Sequence, residues 1–123
     1  MKKKKILVAD DEAFIREVLT HALQPGYRVI TAENGARAME MTKKEKPDLI
    51  ILDVDMPVMN GIDFMIALRN NPNAEYSSIP VIMLTQLGRI SEVETGFSAG
   101  ADLYLPKPFN LTRLTGKIKS LLE

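Results

Sequence analysis

The chain has no cysteine, no net formal charge and no apolar run long enough to cross a bilayer. Without cysteine, disulfide frameworks, thiolate zinc sites and cysteine nucleophiles are excluded, and the composition fits a reducing cytosol. Sixteen basic side chains cancel sixteen acidic ones, which leaves the domain as a whole no electrostatic footprint for nucleic acid. A membrane span needs about 18 to 20 consecutive apolar residues. A secretory core needs about seven, and the four from Ile6 to Ala9 behind the Lys2 to Lys5 run stop at Asp10, Asp11 and Glu12. The expectation is therefore a cytoplasmic chain with no membrane partner and no direct nucleic-acid partner. The lysine run reads most simply as a solvated lead-in to the first strand, with a basic contact for a partner as the alternative.

What is present is the material of one globular domain, with 123 residues, 46% of them hydrophobic and 26% charged. A domain of this size buries roughly two-thirds of the surface of its unfolded chain, enough for a core without staples. Short, continuously apolar runs recur at Ile6 to Ala9, Val29 to Ala32, Leu49 to Leu52, Val81 to Leu84 and Leu103 to Leu105. Such runs, without alternation, predict strands buried on both faces. Between them lie stretches of helical spacing. Ile15, Val18, Leu19, Ala22 and Leu23 make one face, closed by Pro25-Gly26, and Ala36, Met39 and Thr42 mark a second helix. Ile62, Met65 and Ile66 mark a third behind an Asn60 cap, and Ile90, Val93 and Phe97 a thin fourth before Gly100. Leu111, Leu114, Ile118, Leu121 and Leu122 make the fifth, capped by Asn110.

Five strand-helix units in alternation predict an α/β fold, a doubly wound five-stranded parallel sheet with five helices on both faces. The first, third and fourth strands are the most apolar and belong in the centre. Arg28 to Ala32 and Asp102 to Leu105 are more polar and suit the edges. The spatial order that follows is 2-1-3-4-5, a known doubly wound arrangement.

In a parallel sheet all carboxyl ends lie on one edge, where ligands bind at the point of diverging crossovers. The first strand ends in Asp10-Asp11, the third in Asp53, the fourth in Thr85, and the fifth runs into Lys107-Pro108. Two carboxylates about 4 Å apart repel by roughly 4 kcal/mol at an effective dielectric near 20, so several stay ionised together only beside a cation. Oxygen ligands alone select a hard ion. Magnesium suits the set best, because it keeps several waters and pairs with phosphoryl oxygens; manganese or calcium can substitute. The plain alternative is that these acids merely cap helices and turns. The chemistry that uses the whole set is phosphoryl transfer to a carboxylate, which depends mainly on positioning and electrostatics.

The residues also resemble a family over essentially the whole chain, the receiver domain of two-component response regulators, with its CheY-like or flavodoxin-like fold. The motifs are Ile6-Leu7-Val8-Ala9-Asp10-Asp11-Glu12, then Leu49-Ile50-Ile51-Leu52-Asp53-Val54-Asp55-Met56-Pro57 with Gly61, then Val81-Ile82-Met83-Leu84-Thr85, then Lys107-Pro108-Phe109. The resemblance implies that Asp53 is the phosphoacceptor and that Asp11 is a direct magnesium ligand. It implies that Asp10 supports metal-bound water and that the Asp55 main-chain carbonyl completes the protein ligands. Thr85 would swing toward the phosphoryl group, Lys107 would pair with it, and Tyr104 on the fifth strand would act as the switch aromatic. For Tyr104 the alternative is an edge residue packed on the last helix. The Lys107-Pro108 bond is expected to be cis, with a trans turn between Pro106 and Pro108 as the alternative. The implied partners are a sensor histidine kinase or histidine phosphotransfer protein and a downstream protein. The latter would bind the fourth helix, fifth strand and fifth helix, where the thin apolar face of the fourth helix suits a movable element. His21 has no partner motif and reads as structural.

Two positions depart from the family pattern. After Thr85, where a small residue is common, stands Gln86, whose length bears on access to the phosphoryl site; Asp55 adds a second acid two residues after the acceptor. The Asp53-Val54-Asp55 sequence also resembles the haloacid dehalogenase type of aspartate phosphatase, but there the further acidic pair follows the lysine, and here Asp10-Asp11 precedes it. A receiver-like binding module that is never phosphorylated is the third alternative. The fifth helix ends at Leu122, so residues 1–123 are expected to form a single receiver domain without an output domain, signalling by protein contact and not by enzymatic turnover. Weak self-catalysed transfer and autodephosphorylation would be its only reactions.

Overall fold

The structure, a computed structural model, describes residues 2–86 and 100–123. Its elements run β1 (Lys5–Ala9), α1 (Ala13–Leu23), β2 (Arg28–Ala32), α2 (Gly35–Glu45), β3 (Leu49–Asp53), α3 (Gly61–Arg69), α4 (Ala74–Ser77), β4 (Val81–Gln86), β5 (Leu103–Lys107) and α5 (Leu111–Leu122). The five strands form one parallel sheet in the order β2-β1-β3-β4-β5, as anticipated, with the two more polar strands at its edges. The helix anticipated around Ile90, Val93 and Phe97 lies outside the described residues. Helix α4 is a single turn that the sequence does not signal, because four residues carry no periodicity.

Side chains alternate across the sheet, and both faces are covered. Leu7, Ile50, Leu52, Met83 and Tyr104 join one apolar cluster with Ala38 of α2 and Phe64, Met65 and Leu68 of α3. Ile6, Val8, Ile51, Ile82, Leu84 and Leu105 join the other with Leu19 and Leu23 of α1 and Leu114 and Ile118 of α5. Strand β3 is buried throughout, which is why it reads as an unbroken apolar run. Helix α3 turns the expected Ile62 and Met65 toward the core and corrects Ile66. Gly61, Phe64, Met65 and Leu68 turn inward, whereas Ile66 is exposed. The segment is apolar nearly all round, so periodicity alone does not choose its inner side.

Local chemistry sets the helix starts. Asn60 and Asn110 cap as expected, their side-chain oxygens accepting from the N–H groups of Asp63 at 2.8 Å and Arg113 at 2.9 Å, and Asn34 does the same for Arg37 at 2.7 Å. Gly61 begins α3 against the end of β3. A Cβ there would overlap the Asp53 carbonyl oxygen and stand 2.9 Å from Val54 Cα, so only glycine lets this helix start beside the third strand's carboxyl end. At the opposite edge of the sheet, Arg69 donates to the carbonyls of Ser77, Ile79 and Gly100 at 3.0, 2.7 and 3.0 Å and to the Asp102 carboxylate at 3.0 Å. It ties the end of α3 to the approaches of β4 and β5.

Candidate functional site

The register of the central strands places Ala9 beside Leu52 and Asp53 beside Leu84. Asp10 and Asp53 therefore leave neighbouring strands side by side, with Thr85 one residue further along β4. All three are buried, with exposures of 0%, 4% and 3%. Lys107, at the end of β5, reaches across. Its Nζ lies 2.9 Å from Asp10 Oδ2 and 3.4 Å from Asp53 Oδ1. The Asp55 N–H points at the same Asp53 oxygen at 3.4 Å. Thr85 Oγ1 is buried and has no hydrogen-bond partner among the described residues.

Asp10 is the most fully engaged of the acids. Its N–H donates to the Ala32 carbonyl at 3.1 Å, and its carbonyl accepts from Arg16 Nη1 at 2.8 Å. Its Oδ1 accepts the Glu12 N–H at 2.9 Å, and Oδ2 takes the Lys107 ammonium. Carboxylate oxygens of Asp10, Asp11 and Glu12 lie within 4.8 Å of one another. Asp11 and Glu12 are exposed, while Asp10 forms the floor.

Electrostatics follow from this crowding. Burial first, and then the charge of Asp10, push Asp53 from the ordinary carboxylate range up to about 7, against the opposing pull of Lys107 and the Asp55 N–H. Burial by itself would lower the Lys107 ammonium. The hydrogen bond that Lys107 donates to Asp10 and the charges of Asp53 and Asp10 outweigh it and raise Lys107 above the usual lysine value. The pocket thus carries more negative charge than its lysine offsets. Its donors are all oxygen, and carboxylate oxygens of Asp10, Asp11 and Glu12 gather within 4.8 Å, so the chemistry of the donor set fits a hard cation such as magnesium.

The structure brings together Asp10, Asp53, Thr85 and Lys107, with Asp11 on the turn beside Asp10 and Asp55 just beyond Asp53. The Lys107-Pro108 peptide is cis. Gln86 is exposed at the end of β4, paired in register with Lys107. Tyr104 is buried beside Met83 in the cluster of α2 and α3, so it does not take the alternative position against the last helix. Three contributors were not singled out as site residues from the sequence. Glu12 joins the acid cluster, Arg16 holds the Asp10 carbonyl, and Val58 forms the loop beyond Asp53. The Met59 N–H donates to the Pro57 carbonyl at 2.8 Å around Val58, whose φ is 71°. That closes a tight turn costly for a β-branched residue, and no sequence signal announces it. Glu12 was visible as the third acid in its run.

A sequence model of the response regulator receiver domain matches residues 6–119. The chain is 45% identical over 122 residues to the probable transcriptional regulator ycf27 of Porphyra purpurea, covering 98% of this chain and 48% of that protein. It is 40% identical over 120 residues to the response regulator MprA of Mycobacterium leprae (strain TN), covering 97% and 51%. Among solved structures, a putative response regulator from Chloroflexus aurantiacus J-10-fl superposes with a TM-score of 0.92 at 35% identity, covering 98% of each chain. The chemotaxis response regulator CheY4 of Vibrio cholerae gives 0.88 at 37%, covering 98% of this chain and 100% of that one. With these coverages, the chain belongs to the response regulator receiver family, whose members are in general signalling modules and not turnover enzymes. It spans about half the length of the curated relatives it matches. Among the described residues, no helix is long and apolar enough to cross a membrane.

Proposed function

We propose that this chain accepts a phosphoryl group on Asp53 and passes the event on as a conformational signal. The observation that carries the reading is Lys107 bridging two buried carboxylates, Asp10 and Asp53, beside a buried Thr85 hydroxyl without a partner among the described residues. In the transfer, an Asp53 carboxylate oxygen forms a bond to phosphorus as the P–N bond of a phosphohistidine donor breaks. The freed imidazole nitrogen takes its proton from solvent. Lys107 and the Asp55 N–H already face Asp53 Oδ1, and the Lys107 ammonium is placed to offset charge on the phosphoryl oxygens. A magnesium ion, or manganese in its stead, would be held by Asp10, Asp11, Asp53 and the Asp55 main-chain carbonyl and would supply positive charge to carboxylate and phosphoryl oxygens alike.

Thr85 supplies the switch, since its buried hydroxyl, unpartnered among the described residues, gains a hydrogen-bond acceptor once the phosphoryl group arrives. Tyr104 follows as the movable aromatic, and β5 and α5 contribute to the output face; the helix expected to complete it lies outside the described residues. The donor is a histidine kinase or histidine phosphotransfer protein. The names of the curated relatives, a transcriptional regulator and a response regulator, support this placement in a signalling relay.

Incubating the protein with acetyl phosphate and magnesium tests the reading. One acid-stable, base-labile adduct of phosphate mass on Asp53, absent in Asp53→Ala, is the expected result. Catalytic turnover of phosphate esters would favour the aspartate phosphatase instead. No adduct from any small donor would favour a silent binding module.

A further inference from the structure

We propose that Arg16 is a positioning residue that holds the turn of Asp10, Asp11 and Glu12 in its cation-binding shape; this rests on the metal-dependent reading above. Three observations carry it. The Arg16 side chain runs back over the start of α1 and donates from Nη1 to the Asp10 carbonyl at 2.8 Å. Its own N–H donates to the Glu12 carbonyl at 3.2 Å, the first bond of α1, which sets the arginine one helical turn after the acids. Within the turn, the Glu12 N–H donates to Asp10 Oδ1 at 2.9 Å, and carboxylate oxygens of the three acids gather within 4.8 Å.

The position of Arg16 goes against local preference. Helix N-termini favour acids and disfavour cations, because the backbone N–H groups there carry partial positive charge. The first turn of α1 contains no acid, and Glu12 at its N-cap makes no side-chain cap hydrogen bond. A residue that breaks a local rule at the edge of a site points to the site and not to the helix. The physical need is plain. Three neighbouring carboxylates repel one another, and without an anchor the turn would open and spread its oxygens. Fixing the Asp10 carbonyl fixes the peptide plane between Asp10 and Asp11, which sets where the Asp11 carboxylate sits.

The two effects available to an arginine here have opposite signs. As a bare charge, the guanidinium repels a divalent cation, so its removal would tighten magnesium binding. As an anchor it preorganises the oxygens, and its removal would weaken binding. Calorimetric titration of the full chain with magnesium chloride therefore decides between them. Arg16→Ala is expected to raise the magnesium dissociation constant about fivefold or more, with Arg16→Lys intermediate. The far-ultraviolet circular dichroism spectrum of Arg16→Ala should match that of the wild type, which separates loss of the anchor from general unfolding. In the metal-free protein, the Glu12 amide resonance should move in Arg16→Ala as its bond to Asp10 loosens. Unchanged or tighter magnesium binding in Arg16→Ala would overturn the proposal. If that variant does not fold, Arg16→Lys binding as tightly as wild type would do so. Absence of magnesium binding in the wild type would overturn the underlying reading instead, which keeps the two failures apart.

Discussion

Lys107 and Asp10, 97 residues apart, form an ion pair of 2.9 Å on the floor of the carboxyl-edge pocket, and the same ammonium lies 3.4 Å from Asp53. One half-buried cation thus serves two buried carboxylates. With both acids ionised, the trio keeps one negative charge that it does not offset internally. The charge of Asp10 adds to burial in raising Asp53, with Lys107 pulling against both, and the uncompensated charge accounts for the fit of the pocket to an added cation.

Replacing Lys107 by alanine should expose the imbalance. Removing one partner from a buried charge cluster costs about 3 kcal/mol, because the remaining charges stay buried without compensation. Lys107→Ala is therefore expected to lose about that much stability at pH 8 in EDTA and to regain part of it in magnesium. Urea unfolding with and without the ion measures both. Equal stability in wild type and variant would show that Lys107 does not balance the acids.

The raised Asp53 value predicts a pH dependence whose sign is opposite to that of an ordinary paired carboxylate. The folded state holds the Asp53 proton up to about pH 7, whereas the unfolded chain releases it near pH 4. Stability of the metal-free protein is consequently lost as pH rises between those values. Asp53→Asn should therefore stabilise the metal-free fold by about 2 kcal/mol at pH 8 and by little at pH 4, less than the full shift implies because the contact with Lys107 weakens too. Thermal unfolding of both proteins across this range checks it. A gain independent of pH would contradict the assignment.

Gln86, exposed and paired in register with Lys107, lies next to Thr85 at the mouth of the pocket. Gln86→Ala is expected to change the rate at which phosphate leaves Asp53, by about twofold or more, without preventing its arrival. Following the decay of the acyl phosphate after removal of the donor measures this. An unchanged decay rate would end the role proposed for Gln86.

Legibility in the sequence varied with how local each cause is. The strands were readable because Ile6 to Ala9, Leu49 to Leu52 and Val81 to Leu84 are buried on both faces, and burial on both sides demands continuous apolarity. Asn60 and Asn110 were readable as caps because the capped N–H lies three residues on. Ile66 was misplaced because nearly every position of α3 is apolar, and the sheet, not the periodicity, selects Phe64 and Leu68 as its inner side. Arg69 carried no signal at all, since its partners lie at Ser77, Ile79, Gly100 and Asp102.

By itself the sequence determined the alternation of elements, the order of the sheet and the acids, threonine and lysine gathered at one edge, since periodicity and parallel topology follow from residue type and spacing. Only the tertiary structure decided that Lys107 spans Asp10 and Asp53, that Thr85 keeps a buried hydroxyl without a described partner, and that Arg16 reaches back to the Asp10 carbonyl. Those relations are distances of a few ångströms between residues on different elements, and they exist once packing has set where each strand end stands.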